Sequence, residues 1–215
     1  MAKFIKASAE IEVAPVTGME ALKAIEKIGR TCYKSEDLIT DDSCVAFVKG
    51  IMKRGHLSVI EHLGFSVRFI VDRGVTHEIV RHRLCSFSQE STRYCNYTKG
   101  KFDGEVTFIE PVFWSDPKEG LNHLKRSVWE KAMLQAEDLY RGLVAEGASA
   151  QEARSVLPNS LKTEIVMTAN LREWRHFFTM RTSKAAHPQM REVTIPLLAK
   201  VKELFPVFFD DIEAE

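Results

Sequence analysis

The sequence predicts an α+β fold in a single domain over 1–215, with no Rossmann half. Three observations carry this. Residues 64–71 and 161–169 alternate with a period of two, as half-buried strands do. Longer stretches around them keep helical spacing. No strand–helix–strand rhythm joins them, and no GxGxxG occurs.

The elements follow in order. Residues 18–33 (GMEALKAIEKIGRTCY) and 41–53 read as helices. In 64–71, Phe65, Val67, Phe69 and Val71 fall on one strand face. Gly74 leads into a short helix, THEIVRHR. A strand is expected over 105–109. A long amphipathic helix is expected over 117–146, with Leu121, Leu124, Val128, Ala132, Leu139 and Leu143 at helical spacing. Ser149 and Glu152 form a capping box for a short helix that stops before Pro158. In 161–169, Leu161, Thr163, Ile165, Met167 and Ala169 share a face. Helices over about 171–181 and 188–204 complete the chain.

Composition bounds the function. The 215 residues are 45% hydrophobic and 28% charged, an ordinary globular balance. Lys+Arg and Asp+Glu are 30 each. A nucleic-acid coat or membrane-surface binder needs a broad positive field, which this balance denies. No apolar run approaches the roughly 20 residues of a membrane span. The stretch MAKFIKASAEIEVAP lacks the apolar core of a secretory signal. Cys32, Cys44, Cys85 and Cys95 have no CxxC spacing and suit free thiols in a reducing cytoplasm.

The chemistry concentrates in RHRLCSFSQESTRY, 81–94. Arginine offers a planar fork that matches phosphate or carboxylate oxygens. If 81–83 end a helix, consecutive side chains diverge by about 100°, so Arg81, His82 and Arg83 cannot share one small anion. If 86–94 is extended, Gln89, Ser91 and Arg93 line one face suited to a phosphate. Surface arginines at a helix C-terminus, where the dipole favours cations, are the plainer reading. His77-Glu78 fails the HExxH zinc pattern because Arg81 stands where the second histidine is needed. His56, Glu61 and His62 could ligate a metal, but Ser58 and Glu61 are better read as a capping box. No GxSxG supports a serine hydrolase, and no cysteine has a nucleophile's flanks. Downstream, Arg172 and His176 share a helix face, Asn170 with Glu173 reads as an N-cap, and Trp174, Phe177 and Phe178 read as core.

RHR-x7-S-x-R resembles the signature of the flavin-dependent thymidylate synthases. GHLSVIEH (55–62) resembles the family's GH-x-S/T-x-x-EH segment, RSVLP (154–158) its R-x-x-LP element, and N-x-R-x3-H with Arg181 its C-terminal segment. The resemblance implies a mixed sheet packed with long helices. It implies an enzyme that converts dUMP to dTMP, with 5,10-methylenetetrahydrofolate as carbon donor, NADPH as reductant and FAD carrying the hydride. It also implies a homotetramer with active sites shared between subunits. Ser58, Glu61, Arg81, His82, Arg83, Gln89, Asn170, Arg172 and His176 match flavin-contacting positions. Glu78, Arg81, Gln89, Ser91, Arg93, Arg154 and Arg181 match nucleotide-contacting ones, with Ser91 and Arg93 at the phosphate and Arg181 at the pyrimidine N3. His56 matches a histidine near the flavin. Glu78, Gln89 and His176 stand where some relatives carry glutamine, glutamate and asparagine, and each retains hydrogen-bonding capacity. A nucleotide- or RNA-binding protein without chemistry would explain the arginines, but not the histidines and amides placed for flavin.

Overall fold

The computed structural model describes residues 2–102, 104–116 and 118–215. Strands are β1 (Lys3–Ile5), β2 (Ser8–Val13), β3 (Gly64–Asp72), β4 (Ser86–Gln89), β5 (Thr107–Ile109) and β6 (Lys162–Asn170). Helices are α1 (Gly18–Thr31), α2 (Ser43–Lys53), α3 (Arg73–Ile79), α4 (Asn122–Ala145), α5 (Ala150–Ala153), α6 (Leu171–Arg181) and α7 (Pro188–Leu204). β1 pairs parallel with β5, Phe4 opposite Phe108, and the remaining strands order β2-β3-β6-β4. The fold is mixed α and β, as the alternation and helical spacing predict. Among the described residues no helix is long and apolar enough to cross a membrane.

Two units segregate by contacts. The first comprises Met1–Ser8, Phe69–Arg81 and Ser88–Ile165. Its core gathers Tyr97, Val106, Phe108, Met133, Ala136, Tyr140, Ala153 and Leu161. α4 therefore buries Met133, Ala136 and Tyr140, not the leucine stripe its periodicity highlights. Leu121, Leu124, Val128 and Leu139 are more than half exposed. The helix starts at Asn122; Pro117, where the sequence predicts its start, lies outside the described residues. The Ser149–Glu152 capping box forms as predicted. So does a short helix before Pro158, α5 followed by a 3-10 turn over Arg154–Val156.

The second unit comprises Ala9–Arg68, His82–Phe87 and Val166–Glu215. Its core is aromatic. Trp174 stacks on Phe65 at 4.6 Å and its indole N–H donates to the Phe65 carbonyl at 3.0 Å. Phe177, Phe178, Phe205 and Phe209 pack around them, all fully buried. Gly64 lies so near the Ala169 carbonyl oxygen that a Cβ would collide with it. α6 and α7 begin and end where the sequence predicts.

Candidate active site

α3 ends at Ile79, capped by Val80, before the RHR run. A β-branched Ile-Val pair weakens the helix there, so these arginines do not ride a helix C-terminus as THEIVRHR suggests. The three side chains do diverge: His82 is buried, while Arg81 and Arg83 are exposed. α6 begins where the Asn170 side chain accepts the Glu173 backbone N–H at 2.9 Å. Its Trp174, Phe177 and Phe178 face the core, as predicted, leaving Arg172 and His176 on the outer face. Arg172 Nη1 donates to Glu61 Oε1 at 2.6 Å. The expected Ser58–Glu61 capping box does not form. Residues Leu57–His62 make a 3-10 turn whose N-cap, His56, makes no side-chain cap. Glu61 takes the guanidinium instead, a stronger partner than a backbone N–H. Ser58 and His56 are exposed.

His82 is gripped from both sides. Arg181 Nε donates to His82 Nε2 at 3.1 Å, and His82 Nδ1 lies 3.3 Å from Glu173 Oε1. The His176 ring stands 5.5 Å away and Phe177 4.9 Å. Burial, and next the Arg181 charge, hold His82 below its ordinary value, against the pull of Glu173. His82, Glu173 and His176 bring potential ligand atoms within 4.8 Å of one another. With Nε2 accepting from Arg181 and Nδ1 facing Glu173, however, His82 has no lone pair left for a cation.

In the first unit, Gln89 Nε2 donates to the Thr76 and Thr163 hydroxyls at 3.1 and 3.3 Å. β4 stops at this residue. Glu90 turns to Lys162 at 3.0 Å and to the Tyr97 hydroxyl at 2.9 Å. The chain then coils: Ser91 Oγ accepts the Arg93 N–H, and the Ser91 carbonyl accepts from Tyr94 and Cys95. Gln89, Ser91 and Arg93 therefore do not line one strand face. The serine–backbone bond favours a turn over extended chain. Arg93 lies 5.6 Å above the Tyr94 ring, and Arg81 N–H donates to the Glu78 carbonyl at 3.2 Å. Arg154 Nη1 donates to Thr92 Oγ1 at 3.3 Å, bringing Arg154 to the Ser91–Arg93 turn. Beside them lies a pocket of about 470 Å³, lined by Arg73, His77, Thr92, Gln151, Arg154 and Asn159 among others. Among the described residues no carboxylate lines it. Arg73 Nη1 is buried without a protein acceptor. Such a lining offers N–H donors and no negative charge to an anion.

The family model described as thymidylate synthase complementing protein matches residues 16–207. A flavin-dependent thymidylate synthase of Geobacter sulfurreducens is 34% identical over 195 residues, covering 87% of this chain and 80% of that protein. The chain belongs to the flavin-dependent thymidylate synthase family. It is therefore an enzyme, a flavoprotein methyltransferase by family. The Pyrococcus abyssi flavin-dependent thymidylate synthase is 34% identical, covering 81% of this chain and 70% of its own. The fold is shared with a UMP/dUMP methylase, PolB from Streptomyces cacaoi bound with 5-Br dUMP. That match has TM-score 0.78 at 22% identity and covers 97% of this chain and 95% of the other.

In this family member, the residues that the sequence resemblance matches to flavin-contacting positions divide unevenly. Ser58, Glu61, His82, Arg83, Asn170, Arg172 and His176 lie in the second unit, with Arg181; Arg81 and Gln89 lie in the first. The other nucleotide-position residues, Glu78, Ser91, Arg93 and Arg154, lie in the first. Sequence reasoning missed Arg73, His77 and Thr92 at the pocket and Glu173 behind His82. Glu173 is legible in sequence only as a helix first-turn acid. Arg73 is legible only as a cation next to Gly74. Tertiary packing gives Glu173 its partner, His82, and brings Arg73 to the pocket.

Proposed function

We propose that this chain reductively methylates dUMP to dTMP, with 5,10-methylenetetrahydrofolate as carbon donor, NADPH as reductant and FAD as its flavin. The observation that carries this reading is the whole RHR-x7-S-x-R signature standing in a chain of this family. The geometry supports it at the anion pocket. Arg154 and Arg73 line it beside the Ser91–Arg93 turn, so a nucleotide phosphate would meet guanidinium and hydroxyl donors. A phosphate oxygen would also satisfy Arg73 Nη1.

The donor set at the flavin positions suits FAD. Exposed Arg83, Arg172 and His176 offer N–H groups to phosphate and ring acceptors, and Ser58 and Asn170 offer small polar groups. FAD, when bound, accepts and delivers the reducing hydride. The protein's own contribution is electrostatic. C5 of uracil is a poor nucleophile, and negative charge on the ring activates it. The Arg181 guanidinium stabilises that charge at N3 and the adjacent carbonyls, preorganised by His82. No enzyme thiol attacks C6 in this reading. Cys85, the nearest thiol in sequence to the RHR run, is pushed up to about 12 by burial and then by Glu173, so it stays a thiol.

The reading includes a cytoplasmic homotetramer. Its support is α4 and its N-cap: Leu121 (62%), Leu124 (51%) and Val128 (68%) lie bare to solvent in the isolated chain. Such a stripe suits burial against a second copy.

The test is the visible spectrum of the purified protein with FAD, before and after dUMP, followed by dTMP formation. A bound-flavin spectrum that dUMP perturbs, with turnover, is expected. Absence of flavin binding would overturn the reading in favour of a nucleotide- or RNA-binding role. Arg181→Ala should lower kcat by about 10²-fold with little change in dUMP affinity. Equal losses in both would remove Arg181 from the chemistry.

A further inference from the structure

We infer that Glu173 is a positioning residue: acting through His82, it holds the Arg181 guanidinium in the orientation that chemistry on the pyrimidine ring requires. This rests on the reading that Arg181 acts at the pyrimidine. The argument begins with proton inventory. An arginine Nε–H can only donate, so His82 Nε2, 3.1 Å away, must present its lone pair. The single proton of neutral imidazole then sits on Nδ1, 3.3 Å from Glu173 Oε1. An ionised carboxylate can only accept, so Glu173 reinforces from the other side the tautomer that Arg181 requires. The other tautomer would set two N–H groups against each other and a lone pair against a carboxylate.

The backbone on either side of the three groups is itself anchored. Glu173 is 8% exposed, and its own N–H is fixed by Asn170 Oδ1 at 2.9 Å. Arg181 stands on the same helix about two turns on. Its backbone carbonyl accepts the Thr194 hydroxyl at 2.8 Å. His82 thus bridges the two ends of α6, with Phe177 and His176 against its ring. The charged and titratable groups that act on His82 are Glu173, Arg181 and His176; the Cys85 thiol senses Glu173. Protonating His82 would put an N–H in front of Arg181 Nε–H and break the contact. Glu173 favours that protonation while Arg181 and burial oppose it.

The experiment is a double-mutant cycle of Glu173→Gln with Arg181→Ala in the FAD-loaded enzyme, with 15N NMR of the histidines as a reading independent of turnover. An amide at 173 can donate or accept and carries no charge, so it no longer reinforces the tautomer that Arg181 requires. Glu173→Gln should lower kcat by about tenfold or more, with dUMP and FAD affinities within about twofold. The acid limb of its kcat profile should move to lower pH, because the charge that favours His82 protonation is gone. In the Arg181→Ala background the same change should cost nothing further. NMR of the unaltered protein should place the His82 proton on Nδ1. A full additional loss in the Arg181→Ala background, an unmoved acid limb, or an Nε2–H tautomer would each overturn the positioning role alone. Arg181→Ala with normal kcat would overturn the Arg181 reading, and this inference with it.

Discussion

His82 shows how burial makes one residue pH-sensitive. Its folded value lies below the ordinary 6.5, first through burial and then through Arg181. The folded chain therefore binds fewer protons at this site than the unfolded one. Its contribution to stability is complete above 6.5 and is lost as pH falls toward the lowered folded value. His82→Gln should accordingly make the urea midpoint fall less between about pH 7.5 and 5.5 than in the unaltered protein. Identical falls would show that His82 does not set the acid sensitivity. Cys85 makes the opposite prediction. A thiol held near 12 is a poor nucleophile at neutral pH, so Cys85→Ala should retain turnover. Loss of turnover with flavin still bound would reopen a thiol route. The RHR run is plain in sequence, but which of its members turns inward is not. That depends on Glu173 and Arg181, which lie about 90–100 residues downstream.

Among elements, those whose ends carry local signals match the sequence best. Asn170 caps α6, and Pro188 opens α7 as a first-turn proline should. Asp72 also caps α3, accepting the Val75 N–H at 2.8 Å while buried, a signal the sequence reading passes over in placing that helix at 76–83 and not Arg73–Ile79. Asp72→Ala should cost about 1 kcal/mol, read as a melting temperature roughly 2–4 °C lower. Gly64 tests β3 against β6. A methyl there would strike the Ala169 carbonyl oxygen, so Gly64→Ala should destabilise by about 2 kcal/mol. An unchanged melting temperature would show that the two strands separate at little cost. β4 is the element the sequence overextends. Alternation of polar residues continues past Gln89, but no apolar face exists to bury, and the Ser91 hydroxyl pulls the chain into a turn.

At the scale of the molecule, α4 presents an exposed apolar stripe. Its apolar stripe keeps helical spacing, yet the residues that reach the core are Met133, Ala136 and Tyr140 on another face. Val128→Glu should lower the oligomer mass in light scattering and, if active sites are shared between subunits, reduce dTMP formation with it. An unchanged mass would show that the stripe is not a subunit contact.

The sequence alone determined most of the element order from residue 18 on, the α6 and α7 bounds, the α6 core aromatics Trp174, Phe177 and Phe178, and the family. Each rests on periodicity, caps or spacing between residues near in the chain. β1 and β2 were not legible in it. Only the tertiary structure decided that Glu61 pairs with Arg172, that Arg73 and Arg154 line one pocket, and that Glu173 reaches Arg181 through His82. Hydrogen bonds and ion pairs act over a few ångströms of space, and a linear sequence carries no record of which distant residues come that close.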